Sequence, residues 1–437
     1  MQQLNSPPKR ALTLLVIAAC NLLAFSAHAG QSEADRIAEL EKRLEKSMAL
    51  IEQLSSRLSQ VEAGKAAVPT LSATVEKVKS QSERIDQLES ALVQVSESAV
   101  KHNEIGLPLH GFADVGFLRS SNDPSGRKDG FSLGTLDIYL TPTFGDRVKS
   151  IVELAFEYDD SGALATDLER LQFGYTFSDA ATLWMGRFHT PYGQWNTAFH
   201  HGPQIQTSAS RPRFVDFEDK GGILPAHAVG LLASGSMRAG DGRLLYDAYL
   251  ANGNSITDGV LDFNAVKDDN GNKLVGGNIR YAFGGGLEGL TLGAHALTQQ
   301  VDAIATGAST RSNVFGGFAA LDVGSWEAIG EYYSFRNDDL SGNTGTHSSW
   351  AGFAQAGYAL TDRWTPYVRF EKAVLDQTDN YFLGQASGRS YQRNVLGLRY
   401  NLNTQSALKV ELNETTDDAA VGSQKTNEAR LQFAVRF

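Results

Sequence analysis

The chain closes on Ala429-Arg430-Leu431-Gln432-Phe433-Ala434-Val435-Arg436-Phe437, and this stretch decides the fold. Ala429, Leu431, Phe433, Val435 and Phe437 alternate with Arg430, Gln432, Ala434 and Arg436. Successive side chains of a strand point to opposite faces, so one face is apolar and the other carries charge. The same alternation runs through Leu136, Ile138 and Leu140 against Thr135, Asp137 and Tyr139. It returns in Leu171, Phe173, Tyr175 and Phe177 against Arg170 and Gln172, and in Leu408, Val410 and Leu412 against Lys409 and Glu411. One such segment suits a half-buried strand of a soluble sandwich. Many in succession, with Glu153, Glu157, Glu327 and Glu331 among the polar partners, require a second wet face. That is the pattern of transmembrane β-strands.

The connections alternate as well. Short turns read Gly145-Asp146-Arg147, Ser178-Asp179-Ala180, Gly324-Ser325, Thr361-Asp362-Arg363 and Asn401-Leu402-Asn403. Between them lie long polar loops near 119–130, 159–167, 189–225, 253–272, 300–311, 336–347, 375–390 and 414–426. Short turns at one end and long loops at the other predict an all-β transmembrane barrel of about sixteen antiparallel strands over 106–437. An even count returns both termini to one side, and backbone satisfaction in lipid requires the sheet to close. Phe144, Tyr158, Phe177, Trp326, Tyr358, Trp364 and Tyr400 fall near strand ends, where interfacial girdles sit.

Averages conceal this pattern. The 437 residues carry 39 Lys and Arg against 50 Asp and Glu, a formal charge of -11. That sign argues against nucleic acid as a partner, since phosphate binding needs surplus cations. Most of the negative charge falls in the long loops. The mean hydropathy of -0.25 is too low for a bundle of transmembrane helices, and alternating residues cancel in any such average. The single cysteine, Cys20, lies in the leader, so disulfides, Cys-ligated zinc and Cys nucleophiles are not expected.

Lys9 and Arg10, an apolar run from Ala11 to Phe25, and Ala27-His28-Ala29 describe a cleaved secretory signal over 1–29. An acylated Cys20 is the rival reading of this leader. From Ile37 the apolar residues step by three and four. Ile37, Leu44, Ile51 and Leu58 take a positions; Leu40, Ser47, Leu54 and Val61 take d. After Gly64 to Pro69 a second stretch follows through Leu71, Val75, Val78, Ile85, Leu88, Leu92 and Val95. This predicts an α-helical coiled coil over 31–100, periplasmic and oligomeric, without settling dimer against trimer. A pair of amphipathic helices on a domain surface is the alternative.

Here the chain resembles Gram-negative outer-membrane porins. The terminal Phe437, with Leu431, Phe433 and Val435 at every second position before it, is similar to the signal by which the barrel-assembly machinery recognises that class. An N-terminal coiled coil before a barrel of this size looks most like the DcaP-like trimeric porins, with the phosphate-selective porins second. The resemblance implies a homotrimer with one diffusion pore per subunit in the outer membrane, in contact with lipopolysaccharide. It also implies that the third long loop folds inward and narrows the channel.

That loop holds His200-His201-Gly202-Pro203 and Arg211-Pro212-Arg213-Phe214, and ends through Asp216, Glu218, Asp219 and Lys220. Arg211 and Arg213 are the leading candidates for contacting a solute, with Arg187, His200, His201 and Lys220 behind them. Guanidinium forks suit carboxylate or phosphate. The alternative is that the neighbouring acids neutralise these cations and pin the loop to the wall. Adjacent histidines do not converge easily on one ion, so no metal or cofactor is expected. Strand parity also turns Lys149, Arg170, Arg243, Arg280, Arg369, Arg393, Arg399 and Lys409 into the lumen, facing Asp114, Asp137, Glu153, Glu157, Asp247, Glu327, Glu331, Glu371 and Glu411. These form either a ladder guiding ions or a network stiffening the wall.

The resulting expectation is a passive porin for small hydrophilic solutes, including anionic ones such as dicarboxylates, and not an enzyme. Gly284-Gly285-Gly286 lacks the lysine of a phosphate-binding loop. A structural tether to a periplasmic partner or the cell wall, and a barrel enzyme with a rim nucleophile, are the competing classes.

Overall fold

The computed structural model describes residues 109–121, 129–158, 164–199, 202–262, 268, 271–418 and 422–437. The expected signal peptide and coiled coil lie outside the described residues, as do His200 and His201.

Sixteen long strands form the wall. The first half comprises β1 Leu109–Ser120, β2 Gly130–Leu140, β3 Val148–Tyr158, β4 Leu164–Ser178, β5 Ala181–His189, β6 His227–Ala239, β7 Gly242–Asn252 and β8 Lys273–Ala282. The second half comprises β9 Leu290–Ala303, β10 Ala308–Val323, β11 Trp326–Asp339, β12 Thr346–Tyr358, β13 Trp364–Val374, β14 Tyr391–Asn401, β15 Ser406–Asp418 and β16 Ser423–Arg436. Each long strand pairs antiparallel with its sequence neighbours. Short rungs at 143–144, 255–257 and 260–261 extend the ladder locally.

The sheet closes. β1 pairs with β16 from Phe112 opposite Arg436 to Ser120 opposite Glu428. Gly111 and Phe437 exchange two backbone hydrogen bonds of 3.0 Å each. A closed ladder leaves no strand edge, which is the condition for a sheet in hydrocarbon.

The alternation read from the sequence is the inside-outside division of this wall. On β13, Val368 and Phe370 are exposed while Arg369 between them is 2% exposed. On β4, Phe173 is exposed and Gln172 buried; on β14, Leu396 is exposed and Arg393 buried. Trp326 and Tyr358 meet at 4.7 Å, and Trp364 and Tyr400 at 4.4 Å, at the ends of the strands that carry the short turns. The long loops all lie at the opposite end.

Three of those loops are shorter than expected. The stretches 300–311, 336–347 and 414–426 shrink to the gaps after Ala303, Asp339 and Asp418, because the ladder continues into polar sequence. Hydrogen-bonded pairing does not need an apolar face, so it outlasts the hydropathy signal above the lipid. The loop before β14 contains a short helix, α2 at Asn380–Leu383, whose Tyr381 and Phe382 are buried.

Candidate functional site

The longest connection, between β5 and β6, is a packed insert within the barrel. It contains a one-turn helix, α1 at Trp195–Ala198, and 3-10 turns at Arg213–Val215 and Glu218–Lys220. Its Tyr192, Trp195, Phe214, Ile223 and Leu224 are buried. Trp195 meets Phe353 of β12 at 5.6 Å, and Phe214 meets Tyr333 of β11 at 5.2 Å. These apolar residues have no lipid-facing parity, so the insert brings its own core into the lumen.

Lumen-facing polar groups of the wall hold it there. The Glu331 carboxylate accepts from the backbone N–H groups of Gln194 at 3.2 Å and Trp195 at 2.6 Å, and from the Tyr333 hydroxyl at 2.5 Å. Gly193 donates to His295 Nδ1 at 3.1 Å, and its carbonyl accepts from Asn278 at 2.9 Å. Gly193 adopts a φ of 58°, and a Cβ there would meet the Tyr333 hydroxyl and the Glu331 carboxylate. Only glycine fits this close approach.

Further along, Glu411 accepts from the N–H groups of Ala209 at 3.0 Å and Ser210 at 3.2 Å, from the Ser210 hydroxyl at 2.5 Å, and from the Tyr367 hydroxyl at 2.9 Å. Glu371 accepts from the Arg213 N–H at 2.8 Å. Arg369 donates to the carbonyls of Ser210 and Arg211 and to the hydroxyls of Ser208 and Ser210. Lys409 donates to the carbonyls of Pro203 and Ser208, and Arg399 to that of Gln206. These wall charges satisfy loop backbone that would otherwise be buried without partners.

The insert lies against β8 to β15 and leaves a passage on the opposite side. A cavity of about 500 Å³ runs between the loop and the wall formed by β1 to β3 and β14 to β16. It reaches from Ser120, Asp417 and Thr426 near the outer strand ends to Phe112 near the inner end. Its cations are Arg211, Arg213, Lys220, Arg393 and Arg430; its acids are Asp114, Asp137, Glu157, Asp216, Asp417 and Glu428. Arg213 pairs with Asp417, and Lys220 approaches Glu157 at 3.5 Å. Glu428 lies between Arg430 at 3.0 Å and Arg393 at 3.7 Å, so two guanidinium groups share one carboxylate. The Asp137 side chain is buried beside Glu153.

No protein-family model matches the sequence, and no curated protein matches it. Solved structures do. An anion-selective porin from Comamonas acidovorans aligns with a TM-score of 0.53 at 14% identity, over 75% of this chain and 98% of that one. The outer membrane channel DcaP of Acinetobacter baumannii aligns with a TM-score of 0.51 at 14% identity, over 75% and 96%. A loop-deletion form of OmpT, an outer membrane protein of Vibrio cholerae, gives 0.52 at 12% identity, over 75% and 98%. The chain has the fold of the Gram-negative outer-membrane porins.

Within this porin fold the sequence-predicted residues divide. Arg211, Arg213 and Lys220 line the passage. Arg211 is nonetheless 8% exposed. It donates to the carbonyls of Phe199 at 3.2 Å and Val215 at 2.9 Å, pairs with Asp216 at 3.2 Å and stacks 4.3 Å over Phe217. Its guanidinium is engaged by the loop itself. Arg187 is buried against Glu169, away from the passage. Arg170 pairs with Glu153, and Arg280 with Asp247 at 2.6 Å. Arg369, Arg399 and Glu331 bind the loop, as described. Glu327 lines a second cavity of about 350 Å³ beside Trp195 and Phe199. Leu431 and Phe433 face outward on β16, and Phe437 pairs with Gly111.

Arg430, Glu428, Asn278 and His295 were not singled out from the sequence. Each is a polar residue at a lumen-facing position within an alternating strand, and that parity was the available signal.

Proposed function

We propose that the protein is an outer-membrane porin, a passive diffusion channel for small hydrophilic solutes. The observation that carries this reading is the passage itself, a charged cavity running along the barrel between the anchored loop and β1, β2 and β16. Opposed fixed charges at a constriction select solutes by size and charge without an energy source. Small anions such as dicarboxylates suit the segment where Arg393 and Arg430 share Glu428, with Arg213 and Lys220 across it on the loop.

The protein is a homotrimer in the outer membrane of a Gram-negative bacterium, inserted by the barrel-assembly machinery and bordered by lipopolysaccharide. The signal peptide over 1–29 directs export, and the coiled coil over 31–100 extends into the periplasm and joins the subunits. The apolar seam of Ile37, Leu44, Ile51 and Leu58 supports that assignment.

Planar-bilayer recording of the purified protein tests the channel: stepwise conductance supports it, and its absence from correctly folded protein sinks it. Deleting 31–100 tests the assembly role, with monomers on native gels expected and intact trimers the contrary result.

A further inference from the structure

Higher in the barrel the arginines of the lumen each have a carboxylate. Arg170 has Glu153, Arg213 has Asp417, Arg280 has Asp247, Arg369 has Glu371 and Arg393 has Glu428. At the inner end this pairing stops. Arg363 in the turn between β12 and β13, Arg399 on β14 and Arg436 on β16 line one cavity of about 520 Å³. None of the three forms an ion pair among the described residues. Arg363 donates to the Tyr400 hydroxyl at 3.3 Å, and Arg399 donates to the Asn401 side chain at 2.7 Å and the Gln206 carbonyl at 2.8 Å. These acceptors are neutral and leave the positive charge uncompensated. The Arg436 side chain is exposed. Asp362 supplies the carboxylate of the lining. The field of Glu327 reaches Arg399, but Glu327 lines the other cavity, beside Trp195.

The cavity is held in shape by three elements. The pore loop reaches the inner rim at Gln204, whose amide donates to the Thr404 carbonyl in the turn between β14 and β15 at 3.2 Å. The Asn401 side chain donates to the Asp362 carbonyl at 3.2 Å and ties β14 to the turn that carries Arg363. Arg399 and Arg436 are close enough to repel one another, and an anion between them relieves that repulsion.

The passage empties beside this cavity. Arg436 is opposite Phe112 in the β1 to β16 register, and Phe112 marks the inner end of the passage. Arg399 holds the carbonyl of Gln206, which also lines the passage. Along the passage five cations meet six acids, so the fixed charge nearly cancels. At the exit three guanidinium groups meet one carboxylate.

We propose that Arg363, Arg399 and Arg436 form a binding site for small dianions at the inner mouth, and that this site carries the larger share of the channel's charge preference. One anionic group lies on Arg399 and the other on Arg436, with Arg363 beside them, because guanidinium forks receive paired oxygens. The role in charge preference rests on the reading of the protein as a diffusion channel and names the residues that sort its solutes.

The test is calorimetric titration of the full-length protein in detergent with succinate and, separately, with acetate. The wild type is expected to bind succinate saturably and more tightly than acetate. R363A/R436A leaves Arg399 and its hold on the loop in place, and is expected to weaken succinate binding about tenfold. That is about 1.4 kcal/mol, the scale of two exposed charge pairs. R363K/R436K keeps the charge without the forks and is expected to restore part of the affinity. No saturable succinate binding to wild type, equal affinity for the two anions, or undiminished binding to R363A/R436A overturns the proposal. Reversal potentials in a succinate gradient give the second readout. The anion-to-cation permeability ratio is expected to fall further in R363A/R436A than in R213A, and an unchanged ratio overturns the role in charge preference. Absence of stepwise conductance from wild type would strike the channel reading and leave the calorimetric result standing. Normal conductance with unaltered binding in R363A/R436A would strike this site alone.

Discussion

Glu411 of the wall tethers the pore loop, and replacing it with alanine tests how the loop is held. The carboxylate is 0% exposed and accepts four hydrogen bonds, three of them from Ala209 and Ser210, which line the passage. Hydrogen bonds to a charged group contribute about 1.5–3 kcal/mol each, but bonds to one acceptor are not additive. Removing one partner from a buried charged network typically costs about 3–5 kcal/mol. That loss falls on loop docking, because the wall around β15 keeps its backbone ladder. A change of about 4 kcal/mol shifts the docked-to-undocked ratio by about a thousandfold. E411A is therefore expected to form a barrel with wild-type heat-modifiability on gels, while its single-channel current becomes larger and noisier. E411Q keeps a neutral acceptor of the same shape and is expected to fall between the two. Wild-type amplitude and noise from well-folded E411A would refute the reasoning, since the loop would then be held without this carboxylate.

Arg211 and Arg213 are separable. R213A removes a passage-lining cation paired with Asp417, and is expected to lower the anion-to-cation permeability ratio by about twofold in salt-gradient reversal potentials. R211A removes a group engaged by Phe199 and Val215, and is expected to raise current noise with little change in that ratio. At the outer rim, hydrogen bonds from His347 at 2.7 Å and from Thr378 hold the Asp376 carboxyl down to about 2. A carboxyl depressed in the folded state stabilises it above the unfolded value near 4 and loses that contribution as pH falls toward 2. Hydrogen exchange across 375–390 should rise over that window in wild type and be insensitive to it in D376N. Deleting Phe437 removes its two bonds to Gly111 at the barrel seam, and is expected to reduce membrane-inserted protein severalfold by quantitative blotting. Unchanged insertion would show that the seam closes without it.

The strands were legible because the pleat writes burial into the sequence at period two. Leu431 and Phe433 point outward and Gln432 points inward whatever the neighbouring strands are, so parity alone identified the wall and most of its lumen charges. Strand ends were less legible. At Ala303, Asp339 and Asp418 the ladder continues above the lipid in polar sequence that reads as loop.

The site divided along the same line. Composition and spacing marked the 189–225 loop and its cations as candidates, but did not distinguish a guanidinium facing the passage from one facing its own loop. Arg211 and Arg213 are two residues apart in a Pro-rich segment with no regular period. The 3-10 turn that follows Pro212 and the cage of Phe199, Val215 and Phe217 decide their separate fates. Likewise, the parity of Arg369, Lys409 and Glu411 placed them in the lumen, where either ions or a loop could meet them. Closure of the barrel brings β9 to β15 around residues 193–213, more than a hundred positions away in the chain, and turns those charges into anchors. The sequence by itself determined a wall with a wet inside and an apolar outside, because that property is local to each strand. Only the tertiary structure decided which inner charges are consumed by the loop and which remain on the passage, because that depends on contacts the local pattern does not encode.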